Sequence, residues 1–118
     1  MKLEPNVWFD EVVKTYHLIS PHIHHTQLVT CPDLNEELGG RFLFKPESLQ
    51  ITGSFKVRGA LSAISRLSKD ELKRGVIAYS SGNHAQGVAH AAKVFNTPAT
   101  VVMPTDAPER KIANARAL

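Results

Sequence analysis

The sequence predicts an α/β fold, helices layered on a parallel sheet in a three-layer sandwich of which this chain forms a part. Three observations carry that expectation. Past Gly53 the apolar pattern alternates in the order helix, strand, helix, strand, helix. The runs Val76–Tyr79 and Ala99–Met103 are short, apolar and bounded by turn residues, as buried strands are. Each is separated from the next by a segment of helical period, the arrangement that parallel strands need.

The elements follow in order. Val7 to Tyr16 is a helix candidate: Asn6 can cap it, and Trp8, Val12 and Tyr16 recur on one face. Ser20 to Thr26 has no clear period. Asp33 to Leu38 suits a short helix closed by Gly39-Gly40. Arg41 to Lys45, with Phe42-Leu43-Phe44, reads as a short buried strand ending at Pro46. Gln50 to Gly53 is a turn, and Ser54 can cap a helix with Val57, Leu61, Ile64 and Leu67 on its apolar face. Ser68 to Gly75 is a polar break with room for one helical turn. After the first strand, Ser80-Ser81-Gly82-Asn83 makes a tight turn. From about His84 a helix presents Val88, Ala91, Ala92 and Phe95 on one face and stops at Asn96-Thr97-Pro98. Beyond the second strand, Asp106 and Glu109 have capping-box spacing and open a last helix.

With 118 residues, the chain is sized for one small domain. Apolar residues at 42% and charged residues at 21% are ordinary for a globular protein. The net charge of +3 is spread rather than clustered and aromatics are few, which argues against nucleic acid and suits small anionic ligands. One cysteine, Cys31, cannot form an internal disulfide, so a reducing compartment fits. The first five residues hold no apolar stretch of signal-peptide length, and no run is long enough to span a bilayer, so no membrane is expected and the cytoplasm is the default. His22, His24 and His25 lack the cysteine or carboxylate spacing that would complete a metal site, and none is expected. His90 is expected at the surface, Lys69 to Arg74 as a solvated face of balanced charge. Arg58 is a candidate to pair with Glu47.

Two segments carry chemistry. In Thr52-Gly53-Ser54-Phe55-Lys56-Val57-Arg58-Gly59-Ala60, Lys56 falls in the first turn of a helix, in the positive end of its dipole. That field, and burial beside Phe55, would both favour the neutral amine that Schiff-base chemistry needs. Taken alone, the pattern equally suits an exposed lysine with its ammonium in water. In Ser80-Ser81-Gly82-Asn83-His84-Ala85-Gln86-Gly87, a strand ends and a helix begins, where unpaired backbone N–H groups make a ready anion site. Gly82 admits conformations closed to other residues, and Ser80, Ser81 and Asn83 add side-chain donors. Physics alone leaves open whether the anion is a phosphate or a carboxylate, or whether the turn is only a helix cap.

Together the two segments resemble the paired motifs of the threonine dehydratase and serine racemase family, fold-type II enzymes dependent on pyridoxal 5'-phosphate (PLP). Lys45-Pro46-Glu47, Leu49-Gln50, Met103-Pro104 and Ala107-Pro108 fit the same family, and the resemblance runs from about His24 to Leu118. It implies that residues 1–50 belong to the large PLP domain and 51–118 to the small α/β domain, with the C-terminal remainder missing. It implies that Lys56 carries the cofactor and moves the substrate α-proton, that Phe55 packs beside the cofactor ring, and that Asn83 bonds the cofactor's phenolic oxygen. Ser80, Asn83 and His84 would hold the substrate carboxylate. Ser81 would face the cofactor from the side opposite Lys56 and act as a second acid/base in racemase-like members. The implied reaction is β-elimination of L-threonine or L-serine to a 2-oxo acid and ammonia, within amino-acid metabolism such as isoleucine biosynthesis. The whole enzyme is expected to be a homo-oligomer.

The sequence departs from the family pattern in two ways. The family's glycine-rich phosphate loop and the residue contacting the pyridine nitrogen lie downstream of this region, so a fragment with weak PLP affinity and little turnover is expected. The family's Thr-Pro-Leu reads Thr26-Gln27-Leu28 here, which weakens a turn. Two other expectations stand beside the lyase: a serine racemase-like enzyme, and a non-catalytic remnant that binds small anions or a partner chain.

Overall fold

A computed structural model of the chain describes residues 5–118; the N-terminal four residues, and the signal-peptide reading made on them, lie outside it. The first helix, α1, spans Pro5–Ile19. Proline suits the first helical position because its missing N–H would be unpaired there anyway. Asn6 is therefore inside the first turn rather than capping it, and the helix runs on past Tyr16. Trp8, Val12 and Tyr16 stay exposed. What holds α1 is its far end: Ile19 enters the core, and Arg66 Nη2 donates to Thr15 Oγ1.

The second helix, α2 (Pro32–Glu37), closes at Gly39-Gly40, with the Gly40 N–H donating to the Asn35 carbonyl at 3.1 Å. The buried strand expected over Arg41–Lys45 is absent. Phe44 makes a single antiparallel bridge with Val29, and Phe42, Leu43 and Phe44 remain exposed. The reason is that side chains intercept the backbone groups a ladder would need. Phe42 N–H donates to Asn35 Oδ1 at 2.8 Å, and Thr30 Oγ1 donates to the Phe42 carbonyl at 3.0 Å.

From Gly53 onward the predicted alternation is present. It comprises α3 (Lys56–Ile64), α4 (Lys69–Arg74), β1 (Val76–Tyr79), α5 (Asn83–Val94), β2 (Ala99–Val102) and α6 (Glu109–Ala117). β1 and β2 pair in parallel, Val76 opposite Ala99 through Tyr79 opposite Val102, with α5 as the crossover. The expected polar break at Ser68–Gly75 is the helix α4. Its signal was Ser68 three residues before Glu71: the Glu71 N–H donates to Ser68 Oγ, and the Ser68 N–H donates to Glu71 Oε2 at 2.8 Å. The capping box expected from Asp106 does not form, because Pro108 takes the capping position and α6 starts without a side-chain cap.

The core lies between α3 and α5. Val57 and Leu61 are fully buried and meet Val88, Ala91 and Ala92, with Ile19 and Ile23 closing one side. Burying each Val or Leu side chain contributes about 1.5–3 kcal/mol. Val57 matters most for the site, because it pins the residue next to Lys56. Val76, Ala78 and Val101 turn one face of the sheet toward this core; Ile77 and Tyr79 point the other way, 76% and 71% exposed. No helix among the described residues is long and apolar enough to cross a membrane.

Candidate active site

Lys56 is the first residue of α3. The turn before it follows from Gln50 and Gly53: Gly53, at φ +68°, donates its N–H to the Gln50 carbonyl at 2.7 Å. That φ is in the left-handed region, which glycine enters without a Cβ penalty. Ser54 does not take the capping position: Phe55 occupies it without a side-chain bond, and Ser54, one residue earlier, makes only a long contact, its Oγ accepting from the Lys56 N–H at 3.4 Å. The desolvation expected from Phe55 is not there. Phe55 and Lys56 are both exposed, and Lys56 Nζ stands over the Phe55 ring, 4.8 Å from its centroid. Contact with a ring face is attractive for a cationic amine.

The second segment folds as a strand-to-helix turn. Ser80 directly follows β1, its N–H donating to the Val102 carbonyl at 3.0 Å. Its Oγ accepts from the N–H groups of Gly82 and Ala85, both at 3.2 Å. Ser80 thus organises the turn and keeps only its O–H to donate. The Gln86 N–H goes to the Gly82 carbonyl. Among the described residues this leaves the N–H groups of Asn83 and His84 without a protein acceptor, at the positive end of α5. The side chains of Ser81, Asn83 and His84 are exposed around them. Gly82 is not in the left-handed region, its φ being −160°. Instead the end of Lys111 from α6 occupies the space above it: a Cβ there would lie 3.0 Å from Lys111 Nζ.

The two segments meet through Gly87. A Cβ at this position would lie 3.1 Å from the carbonyl carbon and oxygen of Lys56 and 3.1 Å from Val57 N. The backbone of α5 therefore rests directly on the peptide that follows the lysine, which only glycine permits without displacement. As a result Phe55, Lys56 and His84 border one cavity of about 490 Å³, floored by Ala60, Val88 and Gly59. Its lining is mainly apolar with an amine and an imidazole at the rim, the usual make-up of a small-molecule site. A larger depression of about 770 Å³, between α5, β2 and α6, holds neither motif.

Behind Lys56 is an ion pair. Arg58 Nε and Nη2 donate to Glu47 Oε2 and Oε1 at 2.7 and 2.8 Å, as the sequence suggested. This holds the Glu47 carboxyl down at about 2, chiefly through the Arg58 hydrogen bonds against the opposing cost of burial. Gln50, buried, bridges the same region: its amide accepts from the His24 N–H and donates to the His24 carbonyl, at 2.8 and 2.9 Å. The histidines are engaged separately, His22 edge-on to Phe95 and His25 beside the Tyr16 hydroxyl. His90 is half-buried rather than on the surface, and burial pushes its imidazole toward the neutral form. Sequence reasoning missed Gln50 and Lys111, whose roles depend on which loops meet, and it left Gly87 without a role although it closes the second motif.

The pattern of the family described as "Pyridoxal-phosphate dependent enzyme" matches residues 19–118. The chain is 46% identical over 105 residues to an L-threo-3-hydroxyaspartate ammonia-lyase of Saccharomyces cerevisiae, a stretch covering 89% of this chain and 32% of that protein. It is 46% identical over 112 residues to an L-threonine ammonia-lyase of Thermotoga maritima, covering 95% and 28%. The crystal structure of serine racemase from Dictyostelium discoideum superposes with a TM-score of 0.87 at 41% identity, covering 92% of this chain and 36% of that one. The chain thus spans about a third of the length of the curated relatives it matches. Its α/β fold with a parallel sheet is the fold-type II arrangement over that third. The chain belongs to the pyridoxal-phosphate dependent enzyme family.

Proposed function

We propose that this chain is the lysine-bearing part of a PLP-dependent ammonia-lyase that acts on small hydroxy amino acids, L-threonine or L-serine, by β-elimination. The observation that carries the reading is the contact of Gly87 with the Lys56 peptide, which sets the amine and the start of α5 at one cleft. The residues present fit the cofactor's aldehyde end. A primary amine borders an apolar cleft that His84, at the start of α5, also lines, while Ser80, Ser81 and Asn83 are not among its lining residues. When bound, PLP supplies an electron sink for charge developing at the substrate α-carbon.

The chain's own residues divide the remaining work. Lys56 Nζ would hold the cofactor by its aldehyde end and would serve as the base that takes the proton from the substrate α-carbon. Phe55 offers a flat apolar wall beside that amine, and Asn83 a side-chain donor for the cofactor's phenolic oxygen. The N–H groups of Asn83 and His84, with the Ser80 O–H, hold the substrate carboxylate, since the positive end of a helix favours an anion. The β-hydroxyl would depart as water, and the enamine released would take up a water molecule in solution to give a 2-oxo acid and ammonia.

A racemase-like reading is favoured by one feature: the Ser81 side chain is exposed beside this turn, and no hydrogen bond occupies it among the described residues. Two measurements test the proposal. The chain is mixed with PLP, reduced with borohydride and peptide-mapped; attachment is expected at Lys56 and lost in Lys56→Ala, and equal labelling of every surface lysine overturns the reading. Incubation with L-serine then separates the activities, since a 2-oxo acid with ammonia supports the lyase and D-serine the racemase.

A further inference from the structure

The bearing of Lys56 depends on more than its own turn. Its side chain borders the cleft, while that of Arg58, two residues on, projects to the other side of the same helical turn and meets Glu47. Residues two apart on a helix do not share a face, so a tether on Arg58 can restrain the turn without entering the cleft. The tether is a two-point fork, and a guanidinium held at both nitrogens by one carboxylate has a fixed orientation.

Glu47 is itself anchored. Thr26 Oγ1 donates to Glu47 Oε1 at 2.6 Å, and Lys45 Nζ donates to the Thr26 carbonyl at 2.7 Å. The unit Lys45–Thr26–Glu47–Arg58 therefore clamps α3 to the segment around Thr26 and to the 3-10 turn Glu47–Leu49 in the N-terminal part of the chain. Both members of the ion pair are largely buried, their side chains 16% and 26% exposed. The pair also offsets a local conflict. Arg58 sits in the first turn of α3, where the helix dipole disfavours a cation, and Glu47 neutralises it there.

We infer that Glu47 and Arg58 are a positioning pair that fixes the bearing of the Lys56 amine toward the cleft. Neither touches the cavity, so neither is a catalytic residue. The lever is the lysine side chain, whose long arm turns a small rotation of the helical turn into a larger displacement of Nζ. Opposite the clamp, Gly87 of α5 rests on the Lys56 peptide, so the turn is held from two sides. The low value of the Glu47 carboxyl, about 2, keeps the pair ionised throughout the pH range in which an amine attacks an aldehyde. The inference rests on the functional reading above, since it assigns the clamp to an amine that must meet a cofactor.

The test uses the full 118-residue chain with PLP as the probe. The variants are Glu47→Gln, which keeps shape and drops charge, and Arg58→Lys, which keeps charge and drops the fork. Two quantities are read: the rate of borohydride-trapped attachment at Lys56 relative to exposed Lys69 in the same molecule, and the visible-band ellipticity of the cofactor per molecule attached at Lys56. Relative attachment is expected to slow on the order of tenfold in each variant, short of the roughly 100-fold that a misplacement of about 1 Å costs. Ellipticity per attached cofactor is expected to fall with it, and the exchanged pair Glu47→Arg with Arg58→Glu to recover part of both. A pair that only stabilised the fold would leave the ellipticity per attached cofactor unchanged, so unchanged ellipticity and attachment in folded variants overturn the inference while leaving the function standing. If either variant loses its far-ultraviolet signal, Thr26→Val is read in the same way, because it removes one arm of the clamp and keeps the ion pair. Absence of preferential labelling at Lys56 in the unaltered chain sinks the functional reading and this inference together.

Discussion

Gly87→Ala is the sharpest perturbation of the arrangement described here, because two effects of opposite sign act at one residue. Gly87 lies within α5, where replacing glycine by alanine in a helix interior gains about 1 kcal/mol from backbone entropy alone. Against this, the added Cβ would sit 3.1 Å from three backbone atoms of Lys56 and Val57. Such a distance requires a shift of a few tenths of an ångström. The neighbours are peptide atoms, held by the buried Val57 side chain on one side and the Arg58 fork on the other, so they cannot swing aside as a side chain can. Overpacking of this kind costs about 1–3 kcal/mol. The net expectation is destabilisation of about 0–2 kcal/mol, together with a displaced Lys56. Gly59→Ala supplies the contrast. Gly59 is also helical, on α3, and a Cβ there meets nothing within 4 Å, so the same gain of about 1 kcal/mol should appear without the penalty. Thermal unfolding of both variants without cofactor measures this, and lysine mapping after borohydride reports the displacement. If Gly87→Ala is stabilised as much as Gly59→Ala and labels Lys56 with PLP as readily as the unaltered chain, the two helices are not in the contact on which the site depends.

Three further predictions follow from individual residues. The Glu47 carboxyl is depressed to about 2 from 4.5, so its contribution is complete above pH 4.5 and is lost as pH falls through about 2. At about 1.4 kcal/mol per unit that amounts to roughly 2–3 kcal/mol once water reaching the pair is allowed for; Glu47→Gln should flatten the acid limb of a stability-against-pH curve, and an unchanged limb refutes the pairing. The half-buried His90 is pushed below its ordinary value by burial first, then by Lys93 and His22. Its stabilising contribution is therefore present above pH 6.5 and lost as pH falls below it, and His90→Gln should reduce the loss of urea stability between neutral and mildly acidic pH. Ser68→Ala removes the capping-box oxygen of α4 and should cost about 1 kcal/mol in urea denaturation, with no effect on PLP labelling of Lys56.

What the sequence made legible was whatever depends on local chemistry. The strands Val76–Tyr79 and Ala99–Val102, the helix after the Ser80–Asn83 turn and the turn closed by Gly53 are each within a residue or two of their expected places, and the helix opened by Lys56 starts where expected but ends at Ile64, short of Leu67. Short apolar runs between glycine, proline and asparagine leave few alternatives. The failures share the opposite property. Phe42-Leu43-Phe44 looks like a strand, yet strand formation needs a partner edge, and Asn35 and Thr30 took its backbone groups first. Trp8, Val12 and Tyr16 have the period of a buried face, but no described element covers them. Asp106 has the spacing of a cap, but Pro108 fixes the chain before the cap can form.

The candidate site shows the same division and gives it a functional meaning. Lys56, Asn83 and His84 were legible because their chemistry is written in the residue type: an amine, an amide and an imidazole at helix starts. The residues that aim them were not, because aiming is a property of contacts. Glycine at position 87 reads as one more small residue until α5 is laid on the Lys56 peptide. Gln50 reads as a turn residue until its amide closes on both backbone groups of His24. Glu47 and Arg58 are a candidate pair in the sequence, but eleven positions of separation give no geometry, and the two-point fork is seen only in the fold. An amine fixed by packing reacts at a chosen place, whereas the same amine on a loose turn reacts like any surface lysine. On the proposed reading, what sets Lys56 apart from Lys69, two exposed lysines each opening a helix, is what stands behind them. Lys69 opens the six-residue helix α4, which buries none of its side chains. Lys56 has a buried valine, a glycine contact and a partly buried ion pair. If selectivity for PLP at Lys56 survives removal of all three, chemistry at this site comes from the amine's surroundings in the cleft and not from how its helix is held.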